Sequence, residues 1–422
     1  MIYDTDIIII GAGVAGLSAS KVLSQHHIPH KIVEASHRIG GRAYSEAFAD
    51  GSRFDLGCSY LHEGEINPLT SIAKSLNIPL GHGDQFAMDK WQFGAYGQKH
   101  DAAFKARMLD YFQICQNAMD DKNPDTDCIA DIMDWDSPFA SAYNHCIAGL
   151  CAADAPDLSI ADLMNSGSGL DYPVADGLGH MITRWAGDIA VETNCAVSYI
   201  ECKKDHINVT TGKGTLTAGK VLITVSTAIL ASGMIRFTPD LPDTVMNAVT
   251  DLPCGVLNKI GISFAPDTFS DDMAGWHVAC PDPDTSGDNA FIGSTDINIT
   301  PRGKAGTHQQ AIIFAGGSLG EYLEKQGTAA LTDYARQTMT HLYGNNIMKH
   351  MTGVITTAWG GDPWTLGSYS YARPGAADMR QALMNSVDET LFFAGEAASI
   401  AHYGTCHGAY ISGRDTAMNM II

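Results

Sequence analysis

Residues 7–16 constrain this fold more than any other stretch. Ile7 to Ile10 is a run of four isoleucines, β-branched and apolar as in a strand buried on both faces, and it runs directly into Gly11-Ala12-Gly13-Val14-Ala15-Gly16. Glycine at the first position permits a tight turn, at the second it lets a pyrophosphate approach the backbone, and at the third it lets the following helix pack closely on the strand. The helix N-terminus then faces the phosphates. A second apolar segment, Lys31-Ile32-Val33, ends in Glu34, where a carboxylate accepts hydrogen bonds from an adenosine ribose. Strand, glycine turn, helix, strand and acid in this order predict a parallel α/β unit that binds a dinucleotide.

A chain of 422 residues has room for two or three domains. Its formal charge of −21 counts against nucleic acid or an anionic membrane as the main partner and favours cationic ligands. The first strand begins too close to Met1 for a signal peptide, and no apolar run is long enough to span a bilayer, so the expected location is cytoplasmic. The ten cysteines contain no CxxC pair and are expected to be reduced thiols. His26, His27 and His30 belong at a helix end rather than around a metal, and no metal site is expected.

Further along, Phe104, Met108, Phe112 and Cys115 share one face of a helix expected over 101–120, and Ser159-Ile160-Ala161-Asp162 carries an N-cap pattern. Helices are also expected over 181–190, 319–326 and 329–343. Strands are expected over 195–200, 207–211 and 220–225, then over 259–264, 276–280, 291–293 and 311–315, the later group forming an antiparallel sheet. The segment 391–396 gives a last parallel strand, followed by a loop over 405–413 and a closing helix.

Several denser motifs carry a resemblance. Glu34-Ala35-Ser36-His37-Arg38-Ile39-Gly40-Gly41-Arg42, Phe54-Asp55-Leu56-Gly57-Cys58-Ser59-Tyr60-Leu61-His62 with Asn67-Pro68-Leu69, Leu257-Asn258-Lys259, Trp359 to Tyr371 and Leu391 to Glu396 together resemble the flavin-containing amine oxidases, including monoamine and polyamine oxidases, and flavin-type histone demethylases. The match is strongest at the two ends and loose over 80–175 and 265–350. The resemblance implies an α/β fold with a Rossmann-like FAD-binding domain (1–76, 176–256 and 354–422) and a discontinuous α+β substrate domain (77–175 and 257–353).

Carried over position by position, Gly11, Gly13, Val14, Ala15 and Gly16 hold the pyrophosphate and Glu34 the ribose, with Ala35 beside it. Gly41 and Arg42 lie against the phosphates, Val197 against adenine, and Gly395 and Glu396 near the phosphate or ribityl chain. Gly57 and Ser59 run beside the flavin, Trp364 belongs to the segment before the last FAD motif, and the backbone amide of Cys406 faces the pyrimidine edge at a helix N-terminus. Lys259 is the expected catalytic residue, holding a water near flavin N5; the competing reading of a strand lysine is a solvent-facing one. Tyr369 forms one wall of the amine path, whereas the second wall position holds Thr405 in place of the tyrosine of monoamine oxidases. Ser368 stands where those enzymes attach flavin through cysteine, so FAD is expected to be noncovalent.

The resemblance thus implies oxidation of a small-molecule primary or secondary amine, with oxygen as electron acceptor. An L-amino-acid oxidase, which needs an arginine to clamp the substrate carboxylate, and a carotenoid-type desaturase stay open. So do a monomer and a homodimer.

Overall fold

The computed structural model describes residues 3–81, 91–95, 98–99, 102–120, 126–270, 273–279, 293–298 and 309–421. The isoleucine strand Ile7–Ile10 lies at the centre of a wholly parallel five-stranded sheet, in the order Leu391–Phe393, Lys220–Ile223, Ile7–Ile10, His30–Val33, Val191–Glu192. Side chains alternate across a strand. Ile7 and Ile9 therefore enter a core shared with the first helix, Val14–Gln25, and the closing helix, Cys406–Ile421, while Ile8 and Ile10 enter another with Val221, Ile223, Val245 and Val249. Each isoleucine is at most 3% exposed, and full burial of such a side chain contributes ~1.5–3 kcal/mol.

The closing helix comes back onto the first at glycine: a Cβ on Gly413 would lie 2.1 Å from the Ala15 carbonyl oxygen. A four-stranded sheet in the order Gly214–Ala218, Ile207–Thr211, Val197–Cys202, Arg236–Thr238 packs alongside and carries Val197. The helix expected over 181–190 runs instead over Leu178–Ala186. It starts early because the Asp55 carboxylate, from a strand far back in the chain, accepts hydrogen bonds from the Leu178 and Gly179 amides at 3.0 and 3.2 Å. It stops at Gly187, in the left-handed region.

A seven-stranded sheet is ordered Met351–Thr356, Leu257–Phe264, Gln309–Gly316, Gly293–Asn298, Gly275–Ala279, Gln92–Ala95, Gln98–Lys99. It is antiparallel except where Gly275–Ala279 pairs parallel with Gln92–Ala95. Most of the strand expected over 291–293 lies outside the described residues. Ile260, Ile262 and Phe264 pack towards the helices Gly317–Gln326 and Thr328–Tyr343. The period of two turns Leu257 and Lys259 to the opposite face. Phe104, Met108, Phe112 and Cys115 are buried along the helix Ala102–Met119, in a core with Tyr143. The described cysteines are free thiols, and among the described residues no helix is long and apolar enough to cross a membrane.

Candidate active site

One cavity of about 840 Å³ runs from the glycine turn after the first strand to Lys259 and Tyr369. Apart from Gly16, every site residue expected from the sequence lies on its wall. Gly16 has a different place: a Cβ there would lie 2.1 Å from the Gly11 carbonyl oxygen, so glycine lets the helix start against the turn.

At the turn, Gly11 has φ +103°, and a Cβ on Gly13 would meet nothing within 4 Å. That space is where a bound group can reach the backbone. The first helix begins at Gly13 without a side-chain cap, so its first amides are available to an anion. The two glycine motifs interlock, with the Gly40 amide donating to the Ala12 carbonyl at 2.8 Å and Gly41 packed on Gly13. Glu34 is buried and accepts from the Ala12 and Ser36 amides at 2.7 and 2.8 Å, which fixes the acid while leaving it acceptor capacity. An open cradle, an uncapped helix start and an anchored buried acid fit the dinucleotide expected there.

Glu396 is the hub behind this end. Its carboxylate accepts from Arg42 at 2.9 Å, from the Ser370 amide and hydroxyl at 3.1 and 2.7 Å, and from the Gly404 amide at 2.9 Å. Burial pushes this carboxyl up, but the charges of Arg42 and Arg380 and these hydrogen bonds outweigh it and hold the group ionised. Arg380, fully buried, donates to Asp162 at 2.6 and 2.8 Å and to the Ser370 hydroxyl at 2.9 Å, and its guanidinium lies 3.7 Å from the Tyr403 ring centroid. The Asp162 carboxylate thus serves Arg380, while Ser159 caps its helix by accepting from the Asp162 amide at 3.0 Å.

At the other end, Lys259 is 7% exposed, which rules out the solvent-facing reading. Its ammonium donates to the Gly57 carbonyl and, at 2.6 Å, to the Ser59 hydroxyl, and it lies 5.9 Å from the Phe314 ring centroid. Strand register sets Phe314 directly opposite Lys259. Trp276 stacks on Phe314 with centroids 5.1 Å apart, and Trp91 on Trp276 at 5.9 Å. Tyr369 donates its hydroxyl to the Leu150 carbonyl at 2.6 Å, and burial raises its pKa well above the ordinary phenol value. Trp364 is exposed and also lines the cavity.

Thr405 lines the cavity, yet its hydroxyl is engaged at the start of the closing helix, donating to the His402 carbonyl at 2.7 Å and accepting from the Gly408 amide at 2.9 Å. Cys406 opens that helix. Its thiol pKa is raised by a hydrogen bond to Cys58 and by burial, so any anion-stabilising role at this position belongs to the backbone amide. Sequence reasoning missed Trp276, Phe314, Tyr403, Arg380 and the grouping of Glu63 with His402 and His407. The hydroxyl of a Thr-x-x-Gly segment entering a helix was the available signal for Thr405.

The family model described as flavin containing amine oxidoreductase matches residues 93–421, and one described as NAD(P)-binding Rossmann-like domain matches residues 9–76. Probable polyamine oxidase 4 of Arabidopsis thaliana is 25% identical over 450 residues, spanning 98% of this chain and 86% of the relative. The protein FLOWERING LOCUS D of the same plant is 28% identical over 457 residues, spanning 99% of this chain and 55% of the relative. Among solved structures, cyclohexylamine oxidase from Brevibacterium oxydans IH-35A superposes with a TM-score of 0.78 at 21% identity, over 99% of this chain and 98% of that one, which supports the fold. With the family model covering most of the chain and the glycine turn, Glu34 and Lys259 on one cavity, this chain belongs to the flavin-containing amine oxidoreductase family.

Proposed function

We propose that the protein binds FAD noncovalently along this cavity and oxidises a primary or secondary amine to an imine, which water hydrolyses to an aldehyde or ketone, with oxygen reduced to hydrogen peroxide. The observation that carries this reading is the single cavity joining the uncapped glycine turn to a buried lysine within an aromatic enclosure. Bound there, FAD supplies the acceptor for a hydride from the carbon next to nitrogen. The first-turn amides and Glu34 hold the nucleotide, and Arg42, fixed by Glu396, adds positive charge beside it.

The chain's own residues prepare the amine. An alkylammonium ion, with a pKa near that of lysine at ~10.4, must lose a proton before its lone pair can support hydride loss. Tyr369, Trp276 and Phe314 surround it with low-polarity surface, which disfavours the charged form by desolvation. Tyr369 remains a neutral hydroxyl, tied to the Leu150 carbonyl. Lys259 presents its ammonium at the cavity wall, anchored by Gly57 and Ser59, and orients a water by donating a hydrogen bond. We take residues 1–76, 176–256 and 354–422 as the cofactor domain and 77–175 with 257–353 as the substrate domain.

An L-amino-acid oxidase would place an arginine beside the substrate. Among the described cavity residues the arginines are Arg38 and Arg42, and both belong to the nucleotide end: Arg38 donates to the Gly41 carbonyl at 2.7 Å and lies over Tyr44. Arg184 donates to the Leu76 carbonyl, Arg373 is not among the residues lining the cavity, and Arg302 lies outside the described residues. A screen of monoamines, polyamines and amino acids, read by anaerobic flavin bleaching and peroxide release, tests the proposal. Turnover of amines supports it; failure of every amine with an otherwise oxygen-reactive flavin refutes it and favours the desaturase reading.

A further inference from the structure

Behind the cavity wall, Glu63, His402 and His407 bring one carboxylate and two imidazoles together. Glu63 Oε2 lies 2.7 Å from His402 Nδ1 and 3.3 Å from His407 Nε2, and the three ligand atoms are within 4.8 Å of one another. The Glu63 and His407 side chains are 9% and 3% exposed.

Two observations separate this cluster from an ordinary ion pair. His402 Nδ1 is buried and lacks a hydrogen-bond partner of good geometry, although the Glu63 carboxylate oxygen lies only 2.7 Å away. An unsatisfied buried nitrogen costs ~1–3 kcal/mol, which a bound cation would remove by using the lone pair. The surrounding backbone is also shaped to this carboxylate. Glu63 itself has φ +52°, uncommon for a residue with a side chain, and a Cβ on Gly167 would lie 2.4 Å from Glu63 Oε2.

We propose that Glu63, His402 and His407 form a binding site for a divalent transition-metal ion, zinc being the ion the ligand set favours. Two imidazoles and one carboxylate make a three-ligand zinc set with a fourth place for water, whereas magnesium and calcium prefer oxygen ligands. Around zinc at ~2.0–2.1 Å, tetrahedral ligand atoms stand roughly 3.3 Å apart; the present spacing reaches that with small side-chain rotations. Glu63 alone of the three lines the cavity, so the ion pins the wall and takes no part in the amine chemistry. It ties the turn leading into the closing helix to the segment after the strand Tyr60–Leu61.

The test uses the FAD-loaded full chain, stripped with a chelator and titrated with zinc chloride. Bound metal is measured by mass spectrometry after desalting, and cobalt(II) is substituted to record its visible ligand-field bands. The expected result is one zinc per chain, cobalt bands of four-coordinate intensity, and a higher unfolding midpoint with zinc but not with magnesium. Glu63→Gln and His402→Gln, each checked for flavin content and circular dichroism, should weaken zinc by at least ~10-fold. Less than a tenth of an equivalent of zinc on the native chain overturns the proposal, whatever the variants do. Undiminished zinc binding by both folded variants overturns it equally, since the ion then sits elsewhere.

Discussion

Replacing Lys259 by methionine isolates the role of its ammonium, since the side chain keeps nearly the same length and apolar packing. In the native protein that ammonium is buried and donates to the Gly57 carbonyl and the Ser59 hydroxyl. Both acceptors lie on the cavity wall, where water can replace the lost donor. The loss of stability should therefore be only about 1 kcal/mol, near the net value of a single hydrogen bond, and FAD content should be unchanged. Turnover should fall on the order of 10²-fold, a loss of about 2.7 kcal/mol in transition-state stabilisation, the low end for a positioned proton-transfer or hydrogen-bonding group. Stopped-flow traces of the anaerobic reductive and aerobic oxidative half-reactions assign that loss to one step or both. Ser59→Ala keeps the ammonium and its bond to the Gly57 carbonyl, so its effect should be under ~10-fold. Native rates in both half-reactions for Lys259→Met would refute the reasoning and leave this lysine a structural cation.

Gly13→Ala should fold normally yet lose flavin, because its Cβ enters open cavity space; unchanged flavin content at native stability would remove Gly13 from the cofactor cradle. The purified protein should be yellow and release its FAD on acid precipitation, since the Ser368 hydroxyl is engaged by the Leu257 amide and carbonyl at 2.7 and 3.0 Å; flavin retained in the pellet would show a covalent link. Amine turnover should rise from neutral to alkaline pH as the substrate loses its proton, with no fall near pH ~10 from Tyr369, whose pKa is raised by burial; a flat profile would count against amine deprotonation as a requirement. Burial pushes His145 down to about 4, so between pH 4 and about 6.5 the unfolded chain binds the extra proton and stability falls as pH falls, by up to roughly 3 kcal/mol. His145→Leu should flatten that acid limb in denaturant titrations, and an unaltered slope would assign it to other groups.

The nucleotide half of the site was legible because its determinants are local: a strand, three glycines and an acid at fixed offsets need no knowledge of distant contacts. Lys259 could be placed on a strand from sequence, but its burial follows from the partners of that strand, with Ile260, Ile262 and Phe264 claiming one face and leaving the other to the cavity. Trp276 and Phe314 meet only through sheet register. The Asp162–Arg380 pair joins residues on opposite sides of the chain's midpoint, and neither has a local signal for the other. Thr405 lies on the cavity wall as expected, but that its hydroxyl is held at the start of the closing helix follows from contacts with His402 and Gly408 that the resemblance does not carry.

The contact of Gly413 with Ala15 also bears on how the protein is made. Synthesis is vectorial, and the ribosome exposes the glycine turn hundreds of residues before the helix that packs on it. Until residues 391–421 emerge, the parallel sheet lacks its outer strand Leu391–Phe393, and Glu396 is not yet present to anchor Arg42. The nucleotide site is thereby completed only after residues 391–421 have been made, and a nascent chain stalled upstream of them leaves the first helix without the apolar cover of the closing one.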